Sequence, residues 1–105
     1  MSFTVATYNV LATAYIKPEW YPGVPEYLLR AETRVPALVR HVEALDADVL
    51  CLQEVEPDVF AALDDRLGPL GHAGYYEQKG RNRPDGCATF VRTAAFGVRH
   101  ARRLE

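Results

Sequence analysis

Nine residues, Ala47-Asp48-Val49-Leu50-Cys51-Leu52-Gln53-Glu54-Val55, constrain this chain more than any other stretch. In an extended strand successive side chains alternate between faces, so Val49 and Cys51 fall on one side and Leu50 and Leu52 on the other. Both sides are apolar, which is the pattern of a central strand covered on two faces. The run then ends, with no turn signal, on an amide and a carboxylate. Open α/β sheets hold their ligands at the carboxyl ends of such strands, so Gln53 and Glu54 are placed where a ligand would sit. An isolated strand-end acid is more often only the point where the strand meets water, and other signals are needed to decide between the two readings.

The bulk properties limit the choices. With 105 residues the chain is one small domain, and no run approaches the roughly 18 apolar residues of a membrane span. The N-terminus has no basic start or long apolar core of a secretory leader. Cys51 and Cys87 both lie in apolar strand candidates and form no CxxC pair, so buried reduced thiols and a cytoplasmic location are expected. The net charge of −2 is unevenly spread. Residues 1–78 carry 5 Lys/Arg against 12 Asp/Glu, and residues 79–105 carry 7 against 2. A basic surface that meets an anion would give this split, as would a solvated charged face.

Residues 3–9, rich in Val, Thr and aromatics, predict a first strand with Asn9 at its end, where Asn is otherwise a turn-former. Residues 16–27 hold three prolines and a glycine, which predicts a loop, with Trp20, Tyr21 and Tyr27 as a rim for a ring or as pins to the body. Residues 33–45 predict a helix with Thr33 as N-cap, Pro36 in the first turn, and Val35, Leu38, Val39, Val42 and Leu45 facing inward. His41 falls on the opposite, solvated face. A second helix opens at Glu56-Pro57-Asp58, buries Val59, Phe60, Leu63 and Leu67, and stops at Gly68-Pro69. Strands follow over 74–79 and 87–92, joined by the polar loop 80–86, in which Asp85-Gly86 reads as a turn. Residues 96–104 could begin a further strand.

The order strand, helix, strand, helix, strand, strand implies an α/β fold with a mixed sheet and two main helices on one face. Nothing in the chain supplies a cover for the other face of its central strand. An uncovered apolar face is an unusually large exposed patch for a monomer. A missing layer is therefore expected: a further segment, a partner chain or a homodimer contact.

Three strings, TYNVLA (7–12), ADVLCLQEV (47–55) and KGRNRPDGCATFVR (79–92), together resemble the endonuclease/exonuclease/phosphatase superfamily of deoxyribonuclease I-like fold, and within it the poly(A)-deadenylase and nocturnin branch. The resemblance implies a four-layer α/β sandwich, of which residues 1–105 would be a single incomplete domain, the N-terminal half. It implies that Glu54 is the magnesium-binding glutamate and that Asn9 lies beside the metal and the scissile phosphate, both in catalytic and metal-site roles. Lys79 would contact substrate phosphate, with Arg81 beside it, and Gln53 would support Glu54. Mg²⁺ (or Mn²⁺) suits such a site because it takes hard oxygen ligands and keeps several waters, so one or two protein carboxylates are enough.

The resemblance also implies groups that this chain lacks: a later Asp-Asn pair, a second acidic position and a Ser-Asp-His-like motif. His41, His72 and His100 do not follow the aspartate such a motif requires. Residues 1–105 alone are thus expected to be inactive, and the intact protein to be a Mg²⁺-dependent phosphoesterase. Its phosphate-containing substrate would be an RNA 3′ end or a nucleotide. Two alternatives stand beside this: a non-catalytic, anion-binding or completing half-domain, and an inositol-phosphate or lipid-head-group phosphatase.

Overall fold

The computed structural model describes residues 2–98. Four strands, β1 (Val5–Asn9), β2 (Val49–Val55), β3 (His72–Gln78) and β4 (Gly86–Arg92), form one mixed sheet in the order β1-β2-β4-β3. β2 pairs in parallel with β1 and antiparallel with β4. The nine-residue run is therefore an interior strand, as its composition demanded. Two helices, α1 (Ala31–Leu45) and α2 (Pro57–Leu67), lie on one face of the sheet. Leu50, Leu52, Ala88 and Phe90 from that face close onto Val42, Val59, Leu63 and Leu67 in the core. Phe60 extends the contact, stacking on the rings of Tyr76 and Phe90 at 5.1 and 5.4 Å.

The opposite face has no second layer among the described residues. Val49 and Cys51 are only half-buried there, next to an exposed Val5 and Tyr75. Cys51 and Cys87 are free thiols, but Cys87 is exposed on β4 rather than buried, because it points to this uncovered side.

Several boundaries differ from the expectation. α1 starts two residues early, at Ala31, with Arg30 as an extended N-cap (φ −80°, ψ 151°) and no side-chain cap, so Thr33 lies inside the helix. A 3₁₀ turn at Glu26–Leu29 feeds directly into the helix, which leaves no room for a later start. Pro36 consequently sits in the second turn, where it removes the bond that the Glu32 carbonyl would have accepted. Leu45 is exposed instead of inward, since the helix ends at it and the chain turns away through a left-handed Asp46 (φ 47°). The proline-rich loop folds as short 3₁₀ turns, with Trp20 and Tyr27 exposed. β3 begins earlier than the expected residue 74, at His72, which is buried with Nε2 bonded to the Ala47 carbonyl at 2.9 Å. Residues 96–98 form no strand, and 99–104 lie outside the described residues.

At the amino end of β2, Asp48 ties three strands together. It accepts from the Thr4 N–H (2.9 Å) and from Arg92 Nη1 (2.9 Å), and Arg92 Nη2 reaches Asp46 at 2.6 Å. At the other end of the sheet Gly86 starts β4 against Gln78 and Val55. A Cβ at Gly86 would stand 2.2 Å from the Glu77 carbonyl oxygen, so only glycine allows that approach.

Candidate functional site at the carboxyl end of β2

Pairing between β2 and β4 is regular up to Leu52↔Ala88 and resumes at Val55↔Gly86. Between those pairs β2 holds Gln53 and Glu54 while β4 holds only Cys87, which is a β-bulge. Glu54 takes the left-handed conformation (φ 57°) that the extra residue requires. The alternation breaks here, so Val55 enters the core beside Leu52 and Leu50, and Glu54 is turned out at the strand end. A left-handed non-glycine residue costs about 1–2 kcal/mol. Such strain persists only where surrounding bonds hold it in place, and here they do.

Those bonds come from the segment after β1. In the parallel register Asn9 lies beside Gln53, and the Val10 N–H donates to the Gln53 carbonyl at 3.0 Å. Asn9 Nδ2 donates to Glu54 Oε2 at 2.5 Å, while Asn9 Oδ1 accepts from the Leu11 N–H at 2.9 Å. Leu11 is itself left-handed (φ 61°), which turns the next two N–H groups toward the acids. The Ala12 N–H then donates to Glu54 Oε1 at 3.3 Å and the Thr13 N–H to Glu56 Oε1 at 2.6 Å. Arg34, in the first turn of α1, holds the same segment from behind. Its guanidinium donates to the Val10 carbonyl (2.9 Å), the Leu11 carbonyl (2.7 Å) and Thr13 Oγ1 (3.2 Å). Arg34, Glu54, Val10, Ala12, Leu38 and Val59 line one shallow pocket.

The structure thus brings Asn9 and Glu54 into direct contact. It does not bring in Gln53, whose Nε2 points to the open face and donates to Thr7 Oγ1 (3.0 Å) and the Cys51 carbonyl (3.1 Å). Ordinary alternation explains this, because Gln53 falls on the same face as Val49 and Cys51, and the bulge redirects only the residues after it.

Lys79 belongs to a second cluster, on the loop between β3 and β4, which Arg81 shares without a contact to it among the described residues. Lys79 Nζ lies 3.0 Å from Asp85 Oδ2, and the Tyr15 hydroxyl donates to Asp85 Oδ1 at 2.5 Å. Burial pushes the Asp85 carboxyl up, but Tyr15 and Lys79 more than offset it and leave the group below the usual carboxylate range. The hydrogen bond that Lys79 donates to Asp85 raises its ammonium above the ordinary value. Arg81 is exposed and left-handed (φ 61°), as is Asn82 (φ 57°). His41 lies exposed on α1, its ring 5.3 Å from that of Tyr8.

Arg34, Glu56, Tyr15 and Asp85 carry this geometry without having been singled out as site residues. For Asp85 a signal existed: it is the sole acid among residues 79–103. For Arg34 and Glu56 none did, since their role depends on where the Val10–Thr13 backbone runs.

As a metal site the cluster is sparse, and no group of three or more His, Cys, Asp or Glu side chains gathers among the described residues. Its donor chemistry still suits a hard cation. Glu54 is a half-buried carboxylate, oriented through both oxygens by N–H donors, and Mg²⁺ asks a protein for only one or two such groups.

The sequence profile of the Endonuclease/Exonuclease/phosphatase family matches residues 6–104. The "CCR4-Not complex 3'-5'-exoribonuclease subunit Ccr4" of Candida albicans is 31% identical over 99% of this chain and 14% of its own length. The "Carbon catabolite repressor protein 4 homolog 4" of Arabidopsis thaliana is 34% identical over 98% of this chain and 25% of its own. Among solved structures, that of "ANGEL2, a 2',3'-cyclic phosphatase" superposes with a TM-score of 0.79 at 32% identity, covering 88% of this chain and 27% of that one. The human Nocturnin catalytic domain gives a TM-score of 0.64 at 30% identity, with 85% and 32% covered. The chain therefore spans between 14% and 25% of the length of these two curated relatives. The mixed sheet with two helices on one face matches the fold of these neighbours, and the relatives include the deadenylase and nocturnin branch that the three strings resemble, together with Angel proteins. This chain belongs to the endonuclease/exonuclease/phosphatase family.

Proposed function

We propose that the protein carrying these residues is a divalent-metal-dependent phosphoesterase acting on RNA 3′-end linkages or on a nucleotide. One observation carries the reading: an interior strand ends in a bulge that presents Glu54, and Asn9 from the neighbouring strand fixes its carboxylate at 2.5 Å. The Candida relative is called a 3′–5′ exoribonuclease subunit and ANGEL2 a 2′,3′-cyclic phosphatase, two activities that share hydrolysis of a phosphoester.

In this reading Glu54 would hold Mg²⁺ or Mn²⁺, with substrate oxygens and water completing the shell. The cation's contribution when bound is to withdraw charge from the phosphoryl oxygens and the leaving oxygen. Asn9 keeps the Glu54 carboxylate aimed, without adding negative charge beside the substrate. The Ala12 N–H does the same at the other carboxylate oxygen. Lys79 and Arg81 would contact substrate phosphate from the basic loop. The water-activating acid and the phosphate-binding histidine would come from residues outside this chain, so residues 1–105 alone would be inert. We read the uncovered face as the seat of the second sheet, supplied by the rest of the domain or by a partner chain. The free thiols fit a reducing, cytoplasmic setting.

The test is an assay of the intact protein on single-stranded RNA, a 2′,3′-cyclic nucleotide and an inositol phosphate, with Mg²⁺, with Mn²⁺ and with chelator. Turnover of a nucleotide substrate that chelator abolishes supports the reading. Turnover that survives chelator, or of inositol phosphate alone, goes against it.

A further inference from the structure

Asp85 is a fully buried acid that the Glu54 site does not use. A carboxylate out of water is stable only with close partners, and loss of one leaves the charge stranded. Its two partners differ in kind. Tyr15 donates a neutral hydrogen bond to Oδ1, while Lys79 stands 3.0 Å from Oδ2 with its side chain 48% exposed. Oδ2 receives no other hydrogen bond among the described residues. The pair is thus one-sided: the anion is dry and the cation lies at the boundary with water, its remaining N–H groups free to turn outward.

Two features show that this arrangement does more than close a loop. The Lys79 N–H already donates to the Asp85 carbonyl at 2.9 Å, so the backbone fastens the loop without help from the side chains. Tyr15, for its part, comes two residues after Thr13, the second of the residues whose N–H groups grip Glu54 and Glu56. One short segment, Ala12 to Tyr15, therefore touches both clusters. Gly86, the neighbour of Asp85, is paired with Val55, the neighbour of Glu54, so both clusters lie at the same end of the sheet. A free lysine would spread over many rotamers, and a buried acid beneath it removes most of them.

We propose that Asp85 and Tyr15 are positioning residues that hold the Lys79 ammonium toward a phosphate group of the substrate bound at Glu54. The inference rests on the phosphoesterase reading above and adds to it the two residues that aim the cation. The ammonium takes the phosphate as a point charge, and Asp85 fixes where that charge stands.

The test is a set of mutant cycles in the intact protein, with oligoadenylate RNA as substrate and with calorimetry of inorganic phosphate, which needs no turnover. Lys79→Met should raise KM for the RNA and Kd for phosphate about tenfold, the size of one lost charge-assisted bond, with kcat within about twofold. Asp85→Asn should do nearly the same although Lys79 is present, and Tyr15→Phe should do so by about threefold. In the Lys79→Met background neither change should weaken binding further, because both act through that lysine. A purely structural role predicts the opposite: lowered melting temperature with KM and phosphate Kd unchanged, or effects that add to Lys79→Met. Either result overturns the inference. Should Asp85→Asn fail to fold, Tyr15→Phe, which removes one hydroxyl, decides by the same criterion. The two readings also fail separately. Full activity in Glu54→Ala sinks the metal reading, whereas an inactive Glu54→Ala with a silent Lys79→Met sinks only this one.

Discussion

Asn9 and Glu54 lie 45 residues apart in the sequence and 2.5 Å apart in the fold, Nδ2 donating to Oε2. Parallel pairing of β1 with β2 sets them side by side, and the bulge turns the acid to meet the amide.

Substitution at Asn9 separates donation from bulk. Asn9→Ala leaves Glu54 without that donor and the Leu11 N–H without its acceptor. A fall in kcat/KM of about 10²-fold is expected, the cost of losing one well-aimed donor in an active site. Asn9→Asp keeps the shape but sets a second carboxylate against the first. Like charges raise one of the two pKa values, so the acid limb of the pH–rate profile should move to higher pH. A profile measured for both variants checks this, and an unshifted acid limb in Asn9→Asp counts against the contact.

Arg34 is predicted to matter for stability as well as for the site. Its guanidinium satisfies two carbonyls and a hydroxyl in the turn after β1. Arg34→Met should lower the free energy of unfolding by about 2 kcal/mol, in the range of hydrogen bonds to a charged group, and should lower kcat by loosening Asn9 and Ala12. Arg34→Lys supplies one point donor for a fork and should recover less than half of the loss. Urea unfolding of the three proteins measures it.

Acid should destabilise the fold through two named carboxyls. The Thr4 N–H, with Arg92 adding to it against desolvation, holds Asp48 below its ordinary value. Burial raises Asp85, but Tyr15 and Lys79 outweigh it and the net shift is also downward. A lowered folded-state pKa means that the unfolded chain binds the proton first. The stabilisation is then complete above the unfolded value of about 4 and is lost as pH falls through the lower native value. Melting temperature should hold from pH 7 to about 5 and drop below 4, and Asp48→Asn should flatten the drop. An unchanged acid limb in that variant would contradict the assignment.

Much of this was legible in the order of residues, for physical reasons that differ by element. β2 declared itself because two apolar faces in alternation admit few other structures, and α2 because acids and proline precede an apolar stripe that Gly68 ends. The Asn9–Glu54 contact followed from the resemblance carried by three strings, not from either strand alone. What stayed hidden depended on pairing. The bulge at Gln53-Glu54 exists only against β4, and it turns Glu54 toward Asn9 while Gln53 stays on the open face beside Thr7. Thr33 looks like a cap in the sequence, whereas the preceding 3₁₀ turn brings the chain into α1 at Ala31. Asp85 read as a turn residue because turns favour aspartate, and only the approach of Tyr15 from 70 positions away shows it to be a buried anion.

The central claim is that Glu54 holds the cation that handles phosphate, and Glu54→Gln tests it with least disturbance. The variant keeps the size of the side chain and an acceptor for the Ala12 N–H, but removes the charge. The most direct measurement is the single-turnover rate of the intact protein on oligoadenylate RNA across a range of Mg²⁺ and Mn²⁺ concentrations. The account predicts a fall of about 10³-fold or more that added metal does not restore, with the melting temperature nearly unchanged. A Glu54→Gln protein that turned over RNA at the native rate, with the native metal dependence, would contradict it.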